Sequence, residues 1–298
     1  MIRLFHRAGR LALLVVATGM LAACTPRTAS DEKQRLYVSI LPLRSLVEQI
    51  VGNDFTIEVL VPAGASPESF ELSPKKYVAL NRSVLIFNTG LMDFEQNLLR
   101  DFPDDRKLVN LSRGVRLLEG SCGHDHSGMD HGGDIGDTHG IDPHIWTSPR
   151  ALKRMAANAY GAIHAQWPDS IRYTENYRKL AARIDSLDAA CAEALQQAAV
   201  RSIVIYHPTL TYYAADYGLE QLAIERDGKE PSARHLAQLI ETARNRGVGQ
   251  IFYQAQYPVS SVKVIAEDIG AECIRIDPLR EDVIENIGDI TRQITDGK

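Results

Sequence analysis

Residues 169–199, DSIRYTENYRKLAARIDSLDAACAEALQQAA, are the longest periodic segment of the 298-residue chain. Apolar side chains recur along this segment at steps of three and four residues, the pattern of one buried helix face. They are Tyr173, Tyr177, Leu180, Ile184, Leu187, Cys191, Ala194 and Ala198. About 30 residues at about 1.5 Å each make a rod of roughly 45 Å. The alanines in this face and the α/β patterns that flank it favour a helix joining two lobes over a dimeric coiled coil.

On both sides of this helix, short β-branched runs alternate with helical stretches. The strand-like runs are 36–41, 56–61, 84–87 and 108–111 before the helix, and 202–206, 219–224, 250–253 and 272–276 after it. The helix-like runs include 43–51, 73–81 and 149–167 in the first half, and 209–217, 232–245, 259–269 and 283–295 in the second. Ser73 followed by Pro74 is a typical helix start. Such alternation predicts an α/β protein with two similar (β/α)4-type lobes, each built on a parallel sheet, joined by one long rigid helix.

The N-terminal segment has the layout of a secretory signal. Three arginines within the first ten residues precede an apolar run at 11–23, which is too short to span a bilayer comfortably. Residues 21–24, LAAC, resemble a bacterial lipobox, in which Cys24 becomes the lipidated first residue of the mature chain. The alternative is a plain signal peptide with an incidental cysteine. The predicted divisions are a signal peptide at 1–23, a tether at 24–35, a first lobe at 36–168, the linking helix at 169–199 and a second lobe at 200–298. We therefore expect an extracytoplasmic protein of the cell envelope, anchored to the membrane by lipid.

Charge and motifs exclude several classes of function. The formal net charge is −5, whereas a nucleic-acid binder needs a basic surface. A phosphate-binding GxxxxGK[ST] loop, a zinc-protease HExxH motif and a hydrolase GxSxG elbow are all missing from the sequence. We therefore expect neither nucleic-acid binding nor ATP hydrolysis.

Two cysteines of the folded region leave two alternatives open. Cys191 and Cys273 could form a disulfide in an oxidising compartment. Equally, each could be a small buried apolar residue without a partner.

Three residues with metal-ligating side chains stand at or near the ends of predicted strands. His207 ends the strand SIVIYH, Asp277 ends the strand ECIRID, and His144 lies in the segment DPHIWTSP. Ligands of open α/β sheets bind beyond the carboxyl ends of the strands. A single histidine there is commonly structural, but several candidates at comparable positions in two lobes favour a site for Zn, Mn or Fe.

Residues 120–142 interrupt the α/β pattern. They contain seven glycines, five aspartates and four histidines, and almost nothing apolar. The histidines are His124, His126, His131 and His139. Because no core can form from this composition, we predict a loop within the first lobe.

Together these segments resemble the zinc- and manganese-binding solute-binding lipoproteins of bacterial ABC importers, over about residues 36–298. The stretches DPHIWTSP, IVIYHPTLTYYAADYGL and IRIDPL match the family's second, third and fourth ligand segments. The resemblance implies one metal ion held between two lobes by one ligand from each of four segments. In this chain it points to His144, His207 and Asp277.

The first ligand segment departs from the family's pattern. Residues 66–71 read SPESFE, with Glu68 where the family usually has histidine. A carboxylate also ligates zinc or manganese, so we expect Glu68 to complete a set of two imidazoles and two carboxylates. The alternative is three protein ligands and a water molecule.

The resemblance also bears on two neighbouring segments. Zinc-binding members often carry a His/Asp-rich insertion, so the histidines of the 120–142 loop are expected to capture Zn²⁺ weakly and raise its local concentration. The alternative is a solvated linker without ligands. Glu225, Arg226 and Glu230 resemble a charged loop near the family's cleft, and we expect them to be solvated.

The predicted function is therefore capture of a divalent metal, Zn²⁺ in first place, and its delivery to an ABC permease by a monomeric, non-enzymatic protein. Because histidine ligates only when neutral, affinity is expected to fall as the pH drops through about 6.5. Three alternatives stay open: a manganese or iron carrier of the same architecture, a zinc metallohydrolase and an adhesin. The hydrolase requires an open coordination position and a general base.

Overall fold

Two parallel four-stranded sheets frame the protein in a computed structural model that describes residues 33–120, 140–198, 200–225, 231–257 and 259–296. The first sheet contains β1 (Arg35–Val38), β2 (Thr56–Val59), β3 (Ile86–Asn88) and β4 (Leu108–Asn110) in the order β2-β1-β3-β4. The second contains β5 (Ser202–Ile205), β6 (Glu220–Ala223), β7 (Gln250–Gln254) and β8 (Glu272–Ile276) in the order β6-β5-β7-β8. Every strand pairing within the two sheets is parallel. The predicted two-lobed α/β class is confirmed.

Helices connect the strands and cover the sheets. They are α1 (Leu41–Val51), α2 (Pro74–Leu80), α3 (Asp93–Arg100), α4 (Pro149–Gln166), α5 (Ile171–Gln197), α6 (Thr211–Tyr217), α7 (Ala233–Asn245), α8 (Val259–Ile269) and α9 (Val283–Thr295). Ser73 caps α2 by accepting the N–H of Lys76, as the Ser-Pro pair predicts. Helix α3 was not among the sequence predictions, since its eight residues bury only Phe94 and Leu98 as apolar side chains. None of the described helices combines the length and apolar character that crossing a bilayer requires.

Helix α5 is the predicted linking helix. Its 27 residues correspond to about 40 Å, and it ends directly before β5. Four of its buried residues belong to the predicted face, namely Tyr173, Leu180, Ile184 and Cys191, whereas the fifth is Leu195 and not the predicted Ala194. It packs against α1 and α4 of the first lobe and against α9. Helix α9 therefore returns from the second sheet to the linking helix.

Two apolar clusters form the core. The larger runs from the first sheet across α5 to α9. The smaller lies between the second sheet and helices α7 and α8. Cys191 belongs to the larger cluster and Cys273 packs against the smaller, and both are free thiols. The structure therefore supports the second alternative, in which no disulfide joins Cys191 to Cys273.

Several sequence predictions fall on residues outside the described ranges. These are the signal peptide, the lipidated Cys24, the four histidines of the loop, Arg226 and Glu230. The two ends of the predicted loop are described and lie side by side. Glu119 and Ile141 form an antiparallel bridge, and the N–H of Gly120 donates to the carbonyl of Gly140 at 2.8 Å. The chain thus leaves and re-enters the first lobe at one place, directly before Asp142.

Candidate metal centre

The residues of the candidate centre follow the carboxyl ends of parallel strands. Glu68 lies after β2 in a short 3-10 turn, Pro67–Ser69. His144 lies in the long connection after β4 and directly precedes a second such turn, Ile145–Thr147. His207 is the second residue after β5. The two sheets therefore direct these side chains from both lobes toward one place, as the strand-end rule predicts.

Glu68, His144 and His207 form one group of potential ligands. Each offers one ligand atom, and these atoms lie within 4.8 Å of one another. The imidazole centroids of the two histidines are 5.2 Å apart. Both histidines are buried, while the Glu68 side chain is 35% exposed at the mouth of the site. Two imidazole nitrogens and a carboxylate oxygen at this spacing are a donor set that zinc accepts.

A buried carboxylate orients His144. Nδ1 of His144 lies 2.9 Å from Oδ1 of Asp142, and the backbone N–H of His144 donates to the same oxygen at 2.8 Å. The other carboxylate oxygen accepts the hydroxyl of Thr211 at 2.6 Å, and the carbonyl of Asp142 accepts the hydroxyl of Tyr212 at 2.7 Å. Asp142 therefore fixes the proton of a neutral His144 on Nδ1 and leaves Nε2 available as a ligand.

The same arrangement recurs at His207. Its Nδ1 lies 3.2 and 3.3 Å from the two carboxylate oxygens of Glu225, which is 4% exposed. Gln254 holds the backbone of His207, because its side-chain amide donates to the His207 carbonyl at 2.8 Å. The expectation that Glu225 is solvated is therefore wrong. It is the second residue after β6, the strand next to β5, so parallel pairing places it beside His207.

Nε2 of His207 is the nitrogen that faces the other ligands. It is buried, and it contacts Oε1 of Glu68. Two imidazole nitrogens and one carboxylate oxygen, all close together, thus fit a divalent ion in their chemistry.

Charges near the histidines alter the acid–base behaviour of the site. Burial opposes the charged form of His207, but the carboxylates of Glu225 and Glu68 outweigh burial and raise the pKa of His207 to about 9. Burial likewise opposes the charged form of Glu68, yet His207, His144 and Tyr257 hold the pKa of this carboxyl below its usual value. Burial opposes ionisation of Asp142 too, and the neighbouring His144 and Thr211 lower its pKa.

A small cavity of about 40 Å³ opens between these side chains. This volume accommodates a metal ion with a water molecule. Tyr257 forms part of its wall. The hydroxyl of Tyr257 donates to Oε2 of Glu68 at 2.9 Å, and its ring stacks on His207 at a centroid distance of 5.2 Å.

Asp277, the fourth predicted ligand, lies outside this group of three. It is the first residue after β8, which is separated from β5 by β7, so two strand spacings of about 5 Å each separate it from the strand of His207. Its carboxylate is exposed and accepts the N–H of Leu279 at 3.0 Å. The surrounding backbone is held in place, since Asn286 donates to the Asp277 carbonyl at 2.8 Å and Trp146 to the Pro278 carbonyl at 2.9 Å. The structure thus brings together three of the four predicted ligands.

Two parallel-sheet lobes, one long linking helix and a group of ligand atoms between the lobes define a two-lobed solute-binding protein. The chain belongs to the ZnuA family, described as the periplasmic component A of the zinc-uptake complex, whose family model matches residues 36–296.

Individual relatives agree with this assignment. The chain is 27% identical over 266 residues to the zinc-binding lipoprotein AdcA of Streptococcus pneumoniae, covering 87% of this chain and 52% of AdcA. It is 26% identical to the high-affinity zinc uptake system protein ZnuA of Bacillus subtilis, covering 87% of this chain and 83% of that protein. A crystal structure of ZnuA superposes with a TM-score of 0.78 and 30% identity, covering 89% of this chain and 99% of that one. The chain spans about half the length of the AdcA relative.

Proposed function

We propose that this protein captures a divalent metal ion, Zn²⁺ in first place, outside the inner membrane and passes it to an ABC permease. The observation that carries the proposal is the group formed by Glu68, His144 and His207, with ligand atoms within 4.8 Å of one another. Relatives named for zinc binding and zinc uptake support the choice of metal. Family membership favours this function over the hydrolase alternative.

Zn²⁺ would bind to Nε2 of both histidines and to one oxygen of Glu68. Asp277 is the proposed fourth ligand, and its carboxylate would have to leave the N–H of Leu279 to reach the ion. Because hydrogen bonds hold the carbonyls of Asp277 and Pro278, this step is a side-chain rotation. A water molecule in the fourth position is the alternative. With Asp277 bound, two carboxylates neutralise the charge of the divalent ion.

The two histidines would remain fixed while Glu68 moves. Thr211 and Tyr212 of α6 bind Asp142, and the hydroxyl of Thr147 donates to the Thr209 carbonyl at 3.1 Å. These contacts tie the His144 segment to the second lobe, which carries His207. The Glu68 turn is exposed. Metal release would therefore proceed by displacement of the Glu68 loop rather than by separation of the lobes.

The proposal is tested by competition binding with a chromophoric chelator, on wild-type protein and on the variants Glu68→Ala and His207→Ala. We expect one tight Zn²⁺ site in the wild type, a loss of two or more orders of magnitude in affinity in His207→Ala, and a smaller loss in Glu68→Ala. If neither substitution changes the Zn²⁺ affinity, Glu68 and His207 do not belong to the metal site and the proposal is refuted. Retention of Mn²⁺ against equimolar Zn²⁺ would favour the manganese or iron carrier, since zinc is otherwise the stronger binder.

Three further proposals rest on the sequence alone: lipidation of Cys24, a monomeric state, and weak Zn²⁺ capture by the loop histidines. The last is testable by deletion of residues 121–139. Wild-type protein should bind additional weak Zn²⁺ equivalents that the deletion removes, and the tight site should persist. An identical stoichiometry in both proteins would exclude the loop as a ligand.

A further inference from the structure

Tyr257 connects the two lobes at the candidate metal centre. It follows β7 of the second sheet, whereas Glu68 follows β2 of the first. The Tyr257 hydroxyl donates to Oε2 of Glu68 at 2.9 Å. Its ring stacks on His207 at a centroid distance of 5.2 Å and an interplanar angle of 26°. Tyr257 thus contacts one proposed ligand through its hydroxyl and another through its ring.

This contact gives the two oxygens of Glu68 different surroundings. Oε2 accepts the hydrogen bond from Tyr257, whereas Oε1 contacts Nε2 of His207 on the side of the histidines. A carboxylate with one oxygen engaged in this way offers mainly the other oxygen to a metal ion. Glu68 is therefore arranged to bind through a single oxygen.

We propose that Tyr257 is a positioning residue that keeps Glu68 a one-oxygen ligand and so favours small four-coordinate ions over ions that require more oxygen ligands. This inference rests on the proposed function. Zn²⁺ binds tetrahedrally with four ligands, whereas Mn²⁺ favours an octahedral, oxygen-rich shell. Release of Oε2 would supply one more oxygen and reduce the advantage of zinc.

The variant Tyr257→Phe tests the proposal, because it removes the hydroxyl and retains the ring that stacks on His207. We expect Zn²⁺ affinity to fall by about 10-fold or more, the range for partners that orient metal ligands. Mn²⁺ affinity should fall less, so the ratio of the two affinities should decrease. The visible absorption of the Co²⁺-substituted protein should weaken, because Co²⁺ absorbs strongly in tetrahedral sites and weakly in sites with five or six ligands.

Two comparisons isolate the hydrogen bond. Tyr253→Phe is the matched control, since Tyr253 packs against the second-lobe core and does not line the cavity, and its affinities should equal those of the wild type. In a Glu68→Ala background, Tyr257→Phe should have no further effect on Zn²⁺ affinity. An equal loss in both backgrounds would show that Tyr257 acts independently of Glu68 and would overturn the proposal.

The remaining outcomes separate this proposal from the function on which it rests. Wild-type protein that binds no divalent metal would refute the proposed function. Wild-type protein that binds Zn²⁺ tightly, together with a Tyr257→Phe variant of unchanged metal ratio and unchanged Co²⁺ spectrum, would overturn only the role of Tyr257. Thermal unfolding of both tyrosine variants verifies that each one is folded.

Discussion

The carboxylate of Glu225 lies 3.2 Å from Nδ1 of His207, and both side chains are almost fully buried. Asp142 makes the equivalent contact with His144 at 2.9 Å. Each histidine is thus paired with its own carboxylate on the side away from the cavity. Such partners fix the ring orientation and tautomer of a ligating histidine and increase its basicity. The two pairs support the proposal that these imidazoles bind a cation through Nε2.

Glu225→Gln should weaken Zn²⁺ binding by about 10-fold to 100-fold, the range for partners that orient metal ligands. Glutamine retains the shape and can still accept a hydrogen bond, but it lacks the negative charge that supports His207. The measurement is chelator competition, with the exposed Glu241→Gln on α7 as the control. Equal affinity in both variants would show that Glu225 does not support the ligand.

Zinc binding should release about one proton at pH 7.5. The pKa of His207 is raised to about 9, so the metal-free site carries a proton on His207 that Zn²⁺ must displace. The Zn²⁺ affinity should therefore increase with pH up to about 9. With an ordinary histidine pKa of about 6.5, the affinity would instead level off above that pH. Calorimetry in buffers of different ionisation enthalpy measures the released proton. Affinity that is constant between pH 7 and 9 would contradict this prediction.

The same pKa predicts how the stability of the metal-free protein depends on pH. Because the pKa of His207 rises from 6.5 to about 9 on folding, its charged form stabilises the folded state. This contribution is complete below pH 6.5 and is lost as the pH rises through about 9. The Tm of metal-free protein should therefore fall over this interval, and the fall should be smaller in His207→Gln. If the Tm of the wild type and of His207→Gln depends on pH in the same way, the raised pKa of His207 is contradicted.

Reductant should leave the stability of the described core unchanged. Cys191 and Cys273 pack in different apolar clusters, and the Cys191 thiol contacts the hydroxyl of Thr291 at 3.1 Å. Burial raises the pKa of the Cys191 thiol, which disfavours the reactive thiolate. Non-reducing peptide mapping should find both as free thiols. A linked Cys191–Cys273 peptide from native protein would contradict the structure.

The fold could be predicted from periodicity because each lobe repeats a short apolar strand followed by an amphipathic helix. All eight predicted strand runs correspond to strands, and α5 matches the stretch 169–199 to within two residues at each end. Predicted and observed strand ends differ by up to three residues, because buried apolar side chains and single inter-strand hydrogen bonds continue past the regular strand. Leu60 and Val61, for example, are buried beyond the end of β2.

The site was only partly predictable, for a topological reason. His144 and His207 could be identified from strand ends and family segments. The sequence analysis did not link Glu225 and Tyr257 to them, because their proximity depends on the lateral order of strands in the second sheet and on the approach of the two lobes. Two residues at equal distance from the ends of adjacent strands, His207 and Glu225, are the signal that could have revealed the pair. The same order separates Asp277 from His207 by one intervening strand.

The most direct test of the central claim is a crystal structure of the zinc complex with anomalous scattering recorded at the zinc edge. We predict one strong peak bonded to Nε2 of His144, Nε2 of His207 and one oxygen of Glu68, at about 2.0–2.2 Å from each. A zinc peak located elsewhere, with these three side chains unligated, would contradict the account.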